Sequence, residues 1–319
     1  MIRFGVIGIG KISTNSLIPA IQQTNRAQLW SVLSRDINKA RQAAEAFDAF
    51  AEKPAFDSMQ EFLADPDLDA VVVASPDKLH AQHSLAAIAS GKHVLVEKPM
   101  ATSVEDADAM VTAARKAGVQ LGIAYHMRWH QGHRILAQQV WNGEYGEVQT
   151  VRAQWTFRAP DSSNWRAHDA LGRWWSLAGV GTHCLDWILW MMKPVCGDVE
   201  TVESMIGRID NVSAHDTSAA VHLRFQSGAI AQLFCSAVHD APRIGEIYGA
   251  SGYALCTDTI GVTGGGEIQT HTGRLEFEQV DPYVGEIEDF VSAITDDREP
   301  EVSGEAGREN LELLTRICP

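Results

Sequence analysis

The chain has 319 residues and carries 41 acidic against 26 basic side chains, a formal net charge of −15. That length is enough for two domains, and the acidic balance argues against nucleic acid as a partner, because phosphates call for a basic surface. No apolar run is long enough to span a bilayer, and the opening strand with its terminal glycines does not have the charged flank, apolar block and cleavage site of a secretory leader.

The first strand candidate, IRFGVIG, runs into the glycines of GVIGIGKIS. AQLWSVLS, DAVVVAS, HVLVEKP and VQLGIAY follow, with helical patterns between them. Continuous apolar runs suit strands covered on both faces, and the strand–helix alternation predicts an α/β domain with a doubly wound parallel sheet over residues 1–124. The clearest helix is TSVEDADAMVTAARKAG, with Thr102 and Glu105 as a capping box, Val104, Ala107, Val111 and Ala114 as an apolar stripe, and Gly118 as the stop. After Tyr125 the rhythm changes. A helix, HRILAQQVWNG, precedes the strand candidates EVQTVRAQWTFRA, DTSAAVHLRFQSG, AIAQLFCSAVHD and RIGEIYGASG, in which QSG and GASG read as hairpin turns. The helical GTHCLDWILWMM interrupts these strands, and two helical stretches close the chain. Residues 125–319 are expected to form an α+β domain that binds substrate on an open, mainly antiparallel sheet. A second subunit would cover the free face of that sheet, giving a homodimer or homotetramer.

The glycine loop has the context a dinucleotide site needs: a strand before it, a helix after it, and a second strand about 20 residues on. Gly8 permits the tight turn, Gly10 lets a pyrophosphate approach the backbone, and Ile9, Lys11 and Ile12 complete the loop at the helix start. Ser13 stands where a third glycine or an alanine is usual, and serves as a small packing residue. The competing reading is a strand–helix turn with no ligand. The second strand ends in Ser34 and Arg35, with Lys39 one turn later and Asp36 as the N-cap of the next helix. A hydroxyl and two cations at this tip attract a 2′-phosphate, whereas a carboxylate would repel it, so NADP(H) is favoured over NAD(H). Two further strand ends, Ser75-Pro76 (with His80 close behind) and Glu97-Lys98, reach the same carboxyl edge of a parallel sheet, where open α/β sheets bind ligands. Lys98 there can donate to a substrate oxygen.

These segments, the opening loop, SRDINKA, SPDKLH, GKHVLVEKPM and the later GTHCLD, occur in order. Together they resemble the glucose–fructose oxidoreductase / inositol dehydrogenase / rhizopine-catabolism (Gfo/Idh/MocA) family, over essentially the whole chain. YGASG resembles that family's glycine-flanked turn in the second domain. SR after the second strand, HMRWHQGHR and NWR resemble its NADP-dependent anhydrofructose-reductase and xylose-dehydrogenase-like branch. The resemblance implies a Rossmann domain and an oxidoreductase. It implies that Lys98 is the catalytic lysine of E-K-P and His183 the acid/base of a D-x-G-x-H-x-x-D motif, and that Asp186 is that motif's final Asp, on the substrate side. It also implies that Trp165 and Arg166 form a pair reaching substrate and cofactor, and that Tyr125, His126 and Arg128 lie beside the pocket. One departure stands out: the first Asp of the motif falls on Gly179, after an aromatic Arg173–Trp175 stretch. Hydride transfer with Lys98 and His183 remains open without it, because a nicotinamide performs the redox step.

Other features carry weaker chemistry. His126, His130 and His133 have a helical spacing that would suit a metal, but no carboxylate or cysteine completes the set, and no metal is expected. Cys184 beside His183 reads as a buried small residue. Among the nine tryptophans, Trp165 and Trp174 are the candidates for stacking on a sugar. Five scattered cysteines with no C-x-x-C pair suit a reducing cytoplasm. The leading function is hydride transfer between nicotinamide and a sugar, sugar ketone or polyol. The alternatives are a non-catalytic dinucleotide-binding sensor on the same fold and an NAD-dependent inositol-type dehydrogenase.

Overall fold

The computed structural model describes residues 1–159, 164–168, 170–209 and 211–319. The chain divides into two compact units: Met1–Ala124 with Tyr283–Leu311, and Tyr125–Pro282 with Glu312–Pro319. Among the described residues no helix is long and apolar enough to cross a membrane.

The first unit is a six-stranded sheet of β1 (Ile2–Ile7), β2 (Ala27–Leu33), β3 (Ala55–Phe56), β4 (Ala70–Val73), β5 (His93–Glu97) and β6 (Leu121–Ala124). Their order is β3-β2-β1-β4-β5-β6, and every pairing is parallel. This is the doubly wound dinucleotide-binding topology. The connections hold α1 (Ile18–Gln23), α2 (Ile37–Ala46), α3 (Met59–Leu63), α4 (His80–Ala89) and α5 (Val104–Ala117). α5 ends as expected at Gly118, whose left-handed φ of 67° suits glycine. Its start differs by one residue from the expected capping box. Ser103, not Thr102, is the N-cap, and its Oγ accepts from the Asp106 N–H. Shifting the cap places Ala107, Met110 and Ala114 on the buried face and leaves Val104 and Val111 half-buried.

Residues 283–311, within the stretch expected to belong to the second domain, pack in the first unit. They come from α8 (Pro282–Thr295) and the start of α9 (Gly304–Ile317). Tyr283, Ile287, Phe290 and Val291 join the core of Phe4, Val6, Leu29 and Val72. Gly122 on β6 leaves room for this packing, because a Cβ there would meet the Phe290 ring at 3.0 Å. Burial of the α8 apolar stripe is the driving force, at roughly 25 cal/mol per Å² of apolar surface.

The second unit is built on eight strands, β7 (Val148–Thr156), β8 (Val199–Gly207), β9 (Ser218–Phe225), β10 (Ile230–Ser236), β11 (Ile244–Gly249), β12 (Tyr253–Thr257), β13 (Glu267–Thr270) and β14 (Gly273–Leu275). Their order is β14-β13-β12-β11-β7-β10-β9-β8. The two hairpin turns form as read: β9 and β10 flank QSG, with Gly228 at φ +90°, and β11 and β12 flank GASG. The pairing is mainly antiparallel, as expected, with β7 and β10 as parallel neighbours. The long connection that a parallel pair requires runs between them through α7 (Thr182–Cys196), β8 and β9. α6 (Gln131–Trp141) matches the expected helix, starting two residues earlier because His130 caps it.

Alternation divides this sheet into two faces. Ile247, Val151, Ala231 and Leu223 form a buried row across β11-β7-β10-β9. α7 covers this side, and Trp187 lies over Gly245, where a Cβ would sit 3.0 Å from the indole. On the opposite side Tyr253, Tyr248, Thr150, Ile230 and Arg224 make one row and Gln154, Phe234 and Ala220 another. Tyr253, Tyr248 and Ile230 are exposed there.

Candidate active site

In the first unit the expected cofactor residues come together at one sheet edge, because the strands are parallel and all end there. β1 leads into Gly8, β2 into Ser34 and Arg35, β4 into Ser75 and Pro76, and β5 ends at Glu97 and leads into Lys98. Gly8 has φ +96°, and a Cβ on it would lie 2.7 Å from the Ala74 carbonyl oxygen and 2.8 Å from Ser75 N. Both its conformation and its neighbour strand demand glycine. Gly10 is different. A Cβ there meets nothing within 4 Å, so the protein's own packing does not require the glycine. The open space there leaves room for a ligand to approach the backbone closely.

Helical structure begins at Lys11, and Thr14 N bonds the Gly10 carbonyl. The N–H groups of the preceding residues are thus left at a helix start, the arrangement that holds an anion. Ser13 is fully buried and its Oγ donates to the Gly8 carbonyl at 2.5 Å, so it packs and also fastens the loop. A π-helical turn spans Ser13–Leu17 directly behind it. Ile9 and Ile12 are half-buried, and Gly10 and Lys11 are exposed.

At the β2 tip Asp36 caps α2 as expected, accepting from Asn38 N and Lys39 N. Ser34 Oγ accepts from Asp36 N at 3.2 Å. Arg35 and Lys39 are exposed, with no ion-pair partner among the described residues. This tip presents two cations and a hydroxyl, and its one carboxylate is engaged in capping. The residues present therefore fit a dinucleotide. Ser75, Glu97 and Lys98 are buried. The His80 ring bridges the carbonyls of Ser75 and Pro99, and Nδ1 of His83 lies 2.9 Å from Ser75 Oγ. His83 was not legible as a site residue, because a histidine on a helix has no motif of its own.

In the second unit two of the expected residues, Tyr125 and His126, pack against His183, on the first turn of α7. Its ring stacks on Trp155 of β7 (5.3 Å between centroids) and meets Tyr125 and His126 edge-on at 5.9 and 4.9 Å. Tyr125 Oη is 2.6 Å from Thr182 Oγ1, and His126 Nε2 is 2.9 Å from the Gly261 carbonyl. Arg128 and Asp186 form a buried bidentate pair, Nε–Oδ2 3.0 Å and Nη2–Oδ1 2.6 Å. This geometry joins the turn of His126–Trp129 to α7. Arg166 lies over the Trp165 ring at 4.2 Å. Trp174 is not placed to stack on a ligand, because it is fully buried and its Nε1 donates to the Cys318 carbonyl.

A second π-helical turn, Leu177–Gly181, leads into α7 and carries Gly179. Such turns recur at functional positions. A Cβ on Gly179 would press on the Phe157 ring at 3.3 Å, so the aromatic ring of β7's continuation occupies space beside this position. The turn is tied down by Asp216, whose buried carboxylate accepts from Trp175 N, Ser176 Oγ and Leu177 N at 2.8, 2.5 and 2.8 Å. Burial pushes this carboxyl above the ordinary value, against the pull of those donors. Asp216 was missed from sequence because it sits 40 residues from Ser176 in the chain.

The three histidines after Tyr125 each have a different partner. His130 Nε2 meets the Gly265 carbonyl, and His133 Nε2 meets Thr259 Oγ1. Among the described residues no group of three or more His, Cys, Asp or Glu is arranged to hold a metal. Burial pushes the Cys184 thiol well up, which keeps it protonated and inert.

The chain was compared with known proteins. Residues 2–125 match the family model described as "Oxidoreductase family, NAD-binding Rossmann fold", and residues 133–255 match the "GFO/IDH/MocA C-terminal domain". The chain is 30% identical to the D-xylose 1-dehydrogenase (NADP(+)) 2 of Haloferax volcanii, over 95% of this chain and 92% of that protein. It is 29% identical to the 1,5-anhydro-D-fructose reductase of Ensifer adhaerens, over 96% of this chain and 92% of the relative. The crystal structure of the Caulobacter crescentus aldose-aldose oxidoreductase, complexed with glycerol, superposes with a TM-score of 0.90 at 25% identity, covering 99% of this chain and 96% of that one.

Burial, then the neighbouring His130, holds the His133 imidazole well below the ordinary histidine value of 6.5. The unfolded chain then binds the extra proton more readily than the native state. His133 thus contributes stability that is present in full above the ordinary value and is lost as pH falls from there toward the depressed native value. We expect the thermal midpoint to drop between pH 7.5 and 5.5 and His133→Gln to flatten that drop. A midpoint independent of pH in the wild type would contradict it.

Proposed function

The chain belongs to the Gfo/Idh/MocA oxidoreductase family, and on that premise we propose that it moves a hydride between NADP(H) and a sugar, sugar ketone or polyol. As a member it is an NAD(P)-dependent oxidoreductase acting on CH–OH groups. The observation that carries the proposal is the shared edge, where the Gly8–Gly10 loop and the strand ends at Ser34-Arg35, Ser75-Pro76 and Glu97-Lys98 lie side by side. Relatives named for xylose and anhydrofructose chemistry support the substrate class.

A bound nicotinamide supplies or accepts the hydride. The chain's own part is binding and proton handling. The amides at the Lys11 helix start and the bare Gly10 backbone hold the pyrophosphate, with Ile9 and Ile12 beside it. Arg35 and Lys39 take the 2′-phosphate. Lys98 Nζ donates to the substrate oxygen on which charge develops, and an imidazole nitrogen of His183 takes or returns the hydroxyl proton. Trp155, Tyr125 and His126 hold the His183 ring by its faces and edge, which fixes its orientation. Trp165, Arg166 and the Tyr125–Arg128 segment are assigned to substrate and cofactor contacts. The buried pair of Arg128 with Asp186 makes the carboxylate an organiser of that segment.

Five free, buried cysteines support a reducing, cytoplasmic setting. The outer face of the eight-stranded sheet carries exposed Tyr248, Tyr253 and Ile230 beside a depression lined by Arg152, Gln154, His222 and Phe234. A second copy of the chain covering this face would bury them.

Three outcomes test the proposal. A broad panel of aldoses, ketoses and polyols should yield at least one substrate with a change in NADPH absorbance. Lys98→Met should remove that turnover while leaving cofactor affinity within about threefold. No turnover on any sugar or polyol, with cofactor bound, would sink the assignment. For cofactor choice, titration should show NADP(H) binding at least about tenfold tighter than NAD(H), and Arg35→Ala should erase most of that preference. Equal affinities in the wild type would refute it. For assembly, light scattering should give a dimer or tetramer mass, and Phe234→Glu should shift it toward the monomer, whereas a monomeric wild type would rule the interface out.

A further inference from the structure

His80 opens α4, and its ring is fully buried at 0% exposure. Nδ1 lies 2.8 Å from the carbonyl oxygen of Pro99 and Nε2 lies 2.6 Å from that of Ser75. A carbonyl oxygen accepts hydrogen bonds and has no proton to give. A neutral imidazole has one N–H and one bare nitrogen. In that form one of the two contacts would set lone pair against lone pair at hydrogen-bond distance, in a place water does not reach. With both nitrogens protonated, the ring donates to both carbonyls, and each bond gains from the charge. Two such bonds are what make a buried cation tolerable.

We propose that His80 is held as an imidazolium that clamps the ends of β4 and β5, and that it is a positioning residue for Lys98 rather than a direct contact of the cofactor. The positioning part rests on the functional reading given above, while the protonation state stands on the geometry alone. The last ladder pair between β4 and β5 is Val73 with Val96. Ser75 and Pro99 lie beyond it, past the last ladder pair of the two strands. The two-headed donor continues the tie past the ladder, and Lys98 stands between the last residue of β5 and the clamped Pro99 carbonyl.

The ionisable groups near His80 in the fold's elements include Asp77 and Lys78 in the preceding turn and His83 one turn along α4, with Glu97 ending β5 and Lys98 following it. Burial and then the neighbouring His80 hold the His83 imidazole below the ordinary histidine range, and its Nδ1 lies 2.9 Å from Ser75 Oγ.

The first test needs no activity. In wild-type protein labelled with 15N-histidine, free of cofactor and held at about pH 7.5, an ordinary histidine has lost its second proton. The two His80 ring nitrogens should nonetheless give nearly equal shifts, both of the protonated type. One protonated and one bare nitrogen would overturn the proposal, whether or not the enzyme turns over any sugar. The second test uses His80→Gln, which keeps one donor and loses the charge. Turnover should fall by about tenfold or more, with KM for NADPH within about threefold. A variant with wild-type kcat would overturn the positioning role. A wild type inactive on every substrate would refute the functional reading instead and leave the spectroscopic result to decide the protonation state.

Discussion

Parallel pairing of β1 to β6 is the constraint from which the chemistry of the first unit follows. Parallel strands all finish at the same edge, and each is followed by a connection that begins there. Residues from positions 8, 34, 75 and 97 thereby become neighbours. The closeness of β1 and β4 is tight enough to dictate residue type, since any side chain on Gly8 would strike the backbone of Ala74 and Ser75. The same edge gathers three devices that consume backbone polarity: Ser13 on the Gly8 carbonyl, Asp36 on the α2 amides, and His80 on the carbonyls beyond β4 and β5. Each fixes a loop that would otherwise be free to move.

The second unit solves a different problem. Its sheet has one face covered by α7, so the candidate residues for proton transfer sit where helix and sheet meet. His183 is framed by Trp155 from the sheet and by Tyr125 and His126 from the segment before α6. Two buried carboxylates organise that surrounding. Asp186 takes both nitrogens of the Arg128 fork, and Asp216 takes three donors from residues 175–177. Removing one member of such a set strands a charge or a donor in a dry interior, a cost of about 3–5 kcal/mol for a buried ion pair. These carboxylates therefore bear on the site through geometry.

Some of this was legible in the sequence because the signals are local. The Gly8–Gly10 loop, the Asp36 cap, the Gly118 stop and the QSG and GASG turns depend on the conformational limits of a few adjacent residues. The long apolar runs of β1, β2, β4 and β5 marked strands buried on both sides. Other features were not legible. β8 is mostly exposed without regular alternation, and β13 and β14 are four and three residues long, so no run announced them. The expectation of a mainly antiparallel sheet did not single out β7 and β10 as its parallel pair, because the helix after β7 read as an interruption of the strands. Thr102 and Ser103 are equally good caps on paper, and the cap forms at Ser103, one residue after the position the capping box gives.

The sequence by itself determined the doubly wound class, the glycine turn and the cationic β2 tip, because each rests on residue chemistry at short spacing, whereas Lys98 and His183 as a candidate pair came only with the family resemblance. Tertiary structure decided what long-range contact alone can decide. It placed α8 in the first unit, since Phe290 needs the Phe4 and Gly122 surface to bury its ring. It set Phe157 beside Gly179 and buried Trp174 away from any ligand. It also gave His80 two carbonyl partners, one of them 19 residues along the chain. No local pattern encodes a hydrogen bond to a backbone oxygen on another strand, because every residue type presents the same carbonyl.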